Sequence, residues 1–93
     1  MRELTWDDFA DAAGSSYTIE TGVGPLELRL DRVEQLPPSV RTAGSFRLEF
    51  LGPIDPALPQ AIYPLDDGDE VLEIFIVPIA REAAGMRYEA VFC

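Results

Sequence analysis

The sequence predicts a mainly β fold, a small antiparallel β-barrel or sandwich of five or six strands with one short N-terminal helix. Three observations lead there. From residue 16 onward, apolar residues recur with a period of two. Runs of Gly, Pro and Asp interrupt them roughly every 8–12 residues, the spacing of strands joined by turns. The only helix-like period, in LTWDDFADAAG, precedes all of this. A chain of 93 residues makes one domain, spanning 1–93, with room for one modest core.

The helix is expected over 5–13. Thr5 is a natural N-cap, Asp8 stands at N3 to close a capping box, and Asp7 adds charge where the helix dipole favours it. Leu4 and Phe9 are spaced for a hydrophobic staple. Trp6, Phe9, Ala10 and Ala13 form one apolar stripe, and Gly14 is a natural C′ residue.

Strands follow at about 16–21, 26–33, 45–51, 60–65, 70–79 and 86–92. Tyr17 and Ile19 share a face in the first. GVGP, 22–25, supplies a turn. Leu26, Leu28 and Leu30 share a face in the second, and the apolar parity then slips at Asp31 and Arg32 to reach Val33, which predicts a bulge or the strand's end. LPPSVRTAG, 36–44, is a loop, because its prolines forbid helix and central strand. Phe46, Leu48 and Phe50 alternate in the third strand, and GPIDPALP, 52–59, is a second loop. Pro64 demotes the fourth strand, QAIYPL, toward a sheet edge. DDGD, 66–69, is a tight turn around Gly68. The fifth strand, EVLEIFIVPI, is apolar on both faces and is expected at the centre of the sheet, one side on the core and the other under the helix. AREAAG, 80–85, connects it to the last strand, with room for one helical turn.

The final segment, GMRYEAVFC, alternates Met86, Tyr88, Ala90 and Phe92 with polar residues. A terminal segment built this way fills a gap in a sheet, burying one face and satisfying a bare edge. Burial of Met86, Tyr88 and Phe92 contributes about 5–8 kcal/mol gross.

Three strands carry charge on their polar face: Glu27 and Arg29, Arg47 and Glu49, Arg87 and Glu89. Opposite charges facing across strands gain about 0.2–1 kcal/mol per pair and like charges repel. With Leu48 opposite Tyr88, strands 45–51 and 86–92 would pair Arg47 with Glu89 and Glu49 with Arg87. The same register would set Glu27 against Glu49, which places 26–30 elsewhere or shifted. On this pairing the two Arg-x-Glu strands would meet at a closure seam, a reading that ranks second. The first reading is an ordinary solvated face with no such register, since surface ion pairs organise structure weakly.

Composition excludes much chemistry. The chain has 17 carboxylates and 7 arginines, with no lysine or histidine, and a net charge of −10. Nucleic acid and anionic membrane both need a basic face, so neither is an expected partner. Without histidine there is no imidazole base, and without lysine no Schiff base. Ser15, Ser16, Ser39 and Ser45 have no histidine to activate them. Paired carboxylates suit glycoside hydrolysis, but 17 of them single out no pair. Cys93 has no basic neighbour and reads as a free, unactivated thiol, compatible with a reducing compartment. The apolar run 74–80 is far shorter than the ~20 residues of a membrane helix, and the acidic N-terminus lacks a signal-peptide apolar region. These features predict a cytoplasmic protein.

Two candidate sites stay open. Asp66, Asp67, Asp69 and Glu70 around Gly68 read first as turn chemistry and second as a calcium-type cation site without EF-hand spacing. Trp6 and Tyr63 read first as core aromatics and second as a recognition surface. No catalytic, cofactor-binding or metal-binding residue is assigned, and no cofactor is expected.

LTWDDF, FRLEFLGP, LPQAIYPL, EIFIVPIA and GMRYEAVF together resemble an uncharacterised bacterial family of roughly hundred-residue proteins, whose members typically read LPQGIY, E-x-F-L-V-P-I and MRYEAVFN at these places. The likeness runs along nearly the whole chain. Ala61 stands where the family usually has glycine, and Cys93 where it usually has asparagine. The family has no assigned functional residues. Its genes often lie beside those for phage-tail-collar or microcystin-dependent-type fibre proteins, which implies an accessory or assembly factor for a fibre-like structure.

The expected function is a non-enzymatic protein-interaction module, with strand 60–65 or loops 36–44 and 52–59 as the contact surface and a fibre protein as partner. The alternative is a small-ligand or cation-binding β-barrel. A hydrolase using carboxylates alone ranks third.

Overall fold

The computed structural model describes residues 3–22, 24–37 and 44–92. Six strands form a closed antiparallel barrel: β1 (Ser16–Thr21), β2 (Gly24–Gln35), β3 (Phe46–Gly52), β4 (Ala61–Asp66), β5 (Val71–Glu82) and β6 (Gly85–Phe92). Their order around the barrel is β1-β2-β3-β6-β5-β4. Every connection joins neighbours except β3 to β4, which crosses one end of the barrel. That crossing leaves an opening between β3 and β5, and the C-terminal strand β6 fills it, paired on both sides.

Period-two alternation turns one face of every strand inward. Tyr17, Ile19, Leu28, Leu30, Phe46, Leu48, Phe50, Leu65, Ile74, Ile76 and Tyr88 are all buried. A six-stranded barrel is narrow enough for side chains to fill it, and here Tyr17 meets Phe50 edge to face at 5.6 Å inside it. Both ends are closed by loops. At one end Phe9 packs on Phe46 and Phe92, which stack on each other at 4.5 Å. At the other, Leu58 of the β3–β4 crossing is buried in the core, and its N–H donates to the buried Tyr88 hydroxyl at 2.7 Å. Tyr63 donates to the Pro59 carbonyl at 2.6 Å, holding the same loop. The Asp55–Pro56 peptide in that loop is cis.

Several expectations are corrected. The helix over 5–13 is a single 3-10 turn, Trp6–Asp8. The Asp8 carboxylate does accept from the Thr5 N–H at 2.7 Å, but the helix does not continue. Ala10 and Ala13 are exposed, and the Gly14 N–H donates to the Leu30 carbonyl, tying the segment to β2. Among the described residues no helix therefore lies over β5. Segment 80–85 contains no helical turn either: β5 runs on to Glu82, which pairs with Gly85 across a tight hairpin.

The bulge expected at Asp31 is present, as a register shift between Leu30 and Arg32. It sets Arg32 opposite Glu49 and Glu34 opposite Arg47, so β2 lies beside β3 without placing Glu27 against Glu49. Strands β3 and β6 are adjacent, but two residues from the expected register: Leu48 faces Ala90, and Tyr88 faces Phe50. The barrel closes elsewhere, between β1 and β4, through the pair Thr18↔Asp66. The fourth strand, expected at a sheet edge, therefore forms one side of that sparse seam. Pro64 sits on it, unable to donate a backbone hydrogen bond.

Candidate interaction surface

The outer face of the barrel has two contrasting regions. One spans β2, β3, β6 and the end of β5 and is ionic. Arg87 engages Glu82 with two hydrogen bonds at 2.8 and 3.0 Å, Asp31 at 3.0 Å and Glu49 at 2.9 Å. Arg47 engages Glu89, Glu49 and Glu34. Each guanidinium thus joins carboxylates from several strands, and Glu49, itself buried, is shared by both. These contacts raise both guanidinium pKa values, the largest cause being the hydrogen bonds to Glu82 for Arg87 and to Glu89 for Arg47. The Glu82 carboxyl is lowered by its hydrogen bonds to Arg87. Two arginines saturated in this way fasten four strands together and have little capacity left for a ligand.

The second region is apolar. Among the described residues, the large hydrophobic side chains left exposed are Ile62, Val71, Phe75, Ile79 and Val91. All lie on β4, β5 or β6. Ile62 is directly opposite Phe75, and the two are 65% and 51% exposed. Val71, Phe75 and Val77 share this face because side chains alternate along a strand. Val91 stands two residues beyond Glu89, the partner of Val77. These side chains make the outer face of β4 and β5 the candidate interaction surface. Its signal in the sequence was EVLEIFIVPI, apolar on both faces, where the expectation supplied a helix as cover.

The loops named as contact surface are placed as follows. Loop 52–59 closes one barrel end. Of loop 36–44, residues 38–43, which include Ser39, lie outside the described residues, as does Cys93. A depression bordered by Thr21, Pro25, Pro53 and Pro56 has a volume of about 220 Å³ and opens to solvent. Ser15 and Ser16 are exposed, while Ser45 is buried. Trp6 and Tyr63 are half-buried and pack against the core.

The acidic turn has internal partners. The Asp66 carboxylate accepts from the Gly68 N–H, and Asp67 accepts from the Asp69 and Glu70 N–H groups, each at 2.8 Å. These are the bonds by which Asp side chains stabilise a turn. Among the described residues no three acidic or cysteine side chains gather as a metal-ligand group. The nearby Asp67 charge raises the Tyr17 pKa, a smaller effect than burial of that phenol. No helix among the described residues is long and apolar enough to cross a membrane.

No curated protein and no solved structure matches the chain significantly. The family model for domain of unknown function DUF6916 matches residues 4–92. With the whole barrel and nearly the whole chain covered by that match, the chain belongs to the DUF6916 family.

Proposed function

We propose that this protein is a non-enzymatic interaction module, an acidic β-barrel that binds another protein. The observation that carries this reading is the contrast between a barrel interior filled with side chains and an outer face that leaves Ile62, Val71 and Phe75 in solvent. A filled interior offers no enclosed ligand chamber. The absence of histidine and lysine from the whole sequence supports a role without imidazole or Schiff-base chemistry. The barrel acts as a rigid scaffold, with both ends closed and four strands fastened by Arg47 and Arg87.

The resemblance to a family whose genes often sit beside those of tail-collar-like fibre proteins supports a fibre protein as the partner. In that role the module assists assembly. The test is co-expression with a tail-collar-type fibre protein from the same genome, followed by affinity capture and size-exclusion chromatography. A stoichiometric complex is expected. Separate elution of two folded proteins at micromolar concentration would overturn the fibre reading.

A further inference from the structure

Resting on the interaction reading, the charge around the exposed apolar face narrows the class of partner. On β5, Val71, Glu73, Phe75 and Val77 follow one another at every second residue and so share the outer face. On β4, Ile62, Pro64 and Asp66 do the same, set opposite Phe75, Glu73 and Val71. The turn between the strands adds Asp67, Asp69 and Glu70. Between Arg47 and Arg81 the chain has no basic residue at all. The apolar side chains therefore stand within a field of one sign. Arg87, on the neighbouring strand β6, does not relieve it, because it is already bound to Asp31, Glu49 and Glu82.

We infer that the outer face of β4 and β5 docks a protein segment in which apolar side chains are interleaved with lysine or arginine. The apolar side chains of such a segment cover Ile62, Val71 and Phe75, and its cations meet Glu73 between them and Asp66 and Glu70 at the border. Apolar contact supplies area removed from water, and the peripheral charges supply orientation and encounter rate. A second copy of this chain fits poorly. Two such faces brought together would set Glu73 and the acidic turn against their own kind, with no cation on either β4 or the outward face of β5 up to Val77 to separate them. A nucleic acid or an anionic membrane would meet the same repulsion.

The experiment uses the full chain and two synthetic peptides, one alternating leucine with lysine and the other alternating leucine with glutamate. The leucine–lysine peptide is expected to bind, with amide shifts in the ¹⁵N spectrum concentrated at 61–66 and 71–77. Phe75→Ser should weaken binding at least 10-fold and Glu73→Gln about 3-fold. Phe75 is half in solvent, so its variant should keep the wild-type spectrum elsewhere, showing that the fold survives. Equal affinity for wild type and Phe75→Ser would reduce the effect to unspecific charge attraction and overturn the proposal. So would shifts spread over β1 and β2, or binding of the leucine–glutamate peptide at comparable strength. A wild-type dimer in sedimentation that Phe75→Ser abolishes would assign the face to a second copy instead. The peptide arm needs no natural partner, so its failure counts against this surface alone. If a co-expressed partner is captured equally by wild type and Phe75→Ser, the interaction reading stands and this surface is wrong.

Discussion

Arg87 reaches Glu49 with its Nη1 2.9 Å from the carboxylate Oε1, although the residue facing Arg87 across the ladder is Leu51. The ion pair is diagonal. So is the contact of Arg47 with Glu89, since Arg47 faces Val91. The residue directly opposite Glu49 is Glu89, a like charge. The strand pair tolerates this because Arg47 contacts both carboxylates and Arg87 contacts Glu49 from the other side.

Removing Arg87 should therefore cost more than an ordinary surface ion pair. Its side chain is 17% exposed and Glu49's is 8%, between the surface and buried limits. Arg87→Met is expected to destabilise the barrel by about 2–3 kcal/mol, measured by urea unfolding. Adding Glu49→Gln to Arg87→Met should recover part of the loss, because Glu49 and the facing Glu89 then no longer share Arg47 as their one cation. A double variant less stable than Arg87→Met alone would show that the remaining Arg47–Glu49 pair outweighs the charge that Arg87 leaves behind.

Acid should expose the same network. Glu82 has its carboxyl pKa lowered below 4.5, first by its hydrogen bonds to Arg87. A carboxylate whose folded value lies below its unfolded value contributes stability that is complete above the unfolded pKa, and the contribution is lost as pH falls through the folded value. Protonating the many other carboxylates relieves repulsion and pulls the opposite way, so the comparison must be between variants. Glu82→Gln should be less stable than wild type from pH 7 down to about pH 5, and the gap should narrow below about pH 4. Thermal melts across this range measure it. A gap that stays constant to pH 2.5 would exclude Glu82 from the linkage.

The parts of the fold readable from sequence were those set by the inward face. Tyr17 and Ile19 marked β1 to the residue, and the parity slip at Asp31 marked the bulge. The β3–β6 register was not readable from charge. A slip of two residues keeps every inward side chain inward, and the outward arginines are long enough to pair diagonally. Aromatic packing, Phe46 on Phe92, accompanies the register that forms. The N-terminal helix was misread because Thr5 and Asp8 do make the hydrogen bond a helix start requires. The amide of Gly14 is then taken by Leu30 of β2, a partner remote in sequence. The candidate surface was half visible: the doubly apolar β5 stood out, but its outer cover depended on a helix that does not form.

Gly85 carries a close contact that no other residue type fits. Its φ is +138°, and a Cβ placed there would collide with the Gly52 carbonyl oxygen, which belongs to the neighbouring strand's backbone and cannot swing away. Gly68 also has positive φ, +100°, but a Cβ there meets nothing within 4 Å. Gly85→Ala should cost more than about 3 kcal/mol and Gly68→Ala about 1–2 kcal/mol, strain alone. Equal losses in the two variants would mean that the β3–β6 approach relaxes freely. Expression yield and urea midpoints separate the cases even if Gly85→Ala folds only partly.

Tyr88 is buried, and its hydroxyl accepts the Leu58 N–H at 2.7 Å. Tyr88→Phe keeps the ring and removes the acceptor, leaving a buried amide without that partner. The expected loss is about 1–2 kcal/mol, with faster hydrogen exchange at the Leu58 amide. Tyr63→Phe removes a more exposed bond to Pro59 of the same loop and should cost less than about 1 kcal/mol. Unchanged Leu58 exchange in Tyr88→Phe would show that the loop is held by apolar packing alone.

A chain stopped after Gly85 loses β6 and with it both flanking ladders, because β6 is the strand that joins β3 to β5. The remaining five strands cannot close directly: β3 and β5 would each present a bare edge, and Phe46 would lose its stacking partner Phe92. The apolar burial removed is comparable to the whole net stability of a small domain, about 5–15 kcal/mol. The truncated chain should therefore be unfolded at 25 °C, with collapsed amide dispersion and no cooperative melt. Supplying residues 86–93 as a separate peptide should restore dispersion at millimolar concentration, since the gap it fills is defined on both sides. A truncated chain that melts cooperatively without the peptide would show that β3 and β5 can pair directly, and that the terminal strand is dispensable to the barrel.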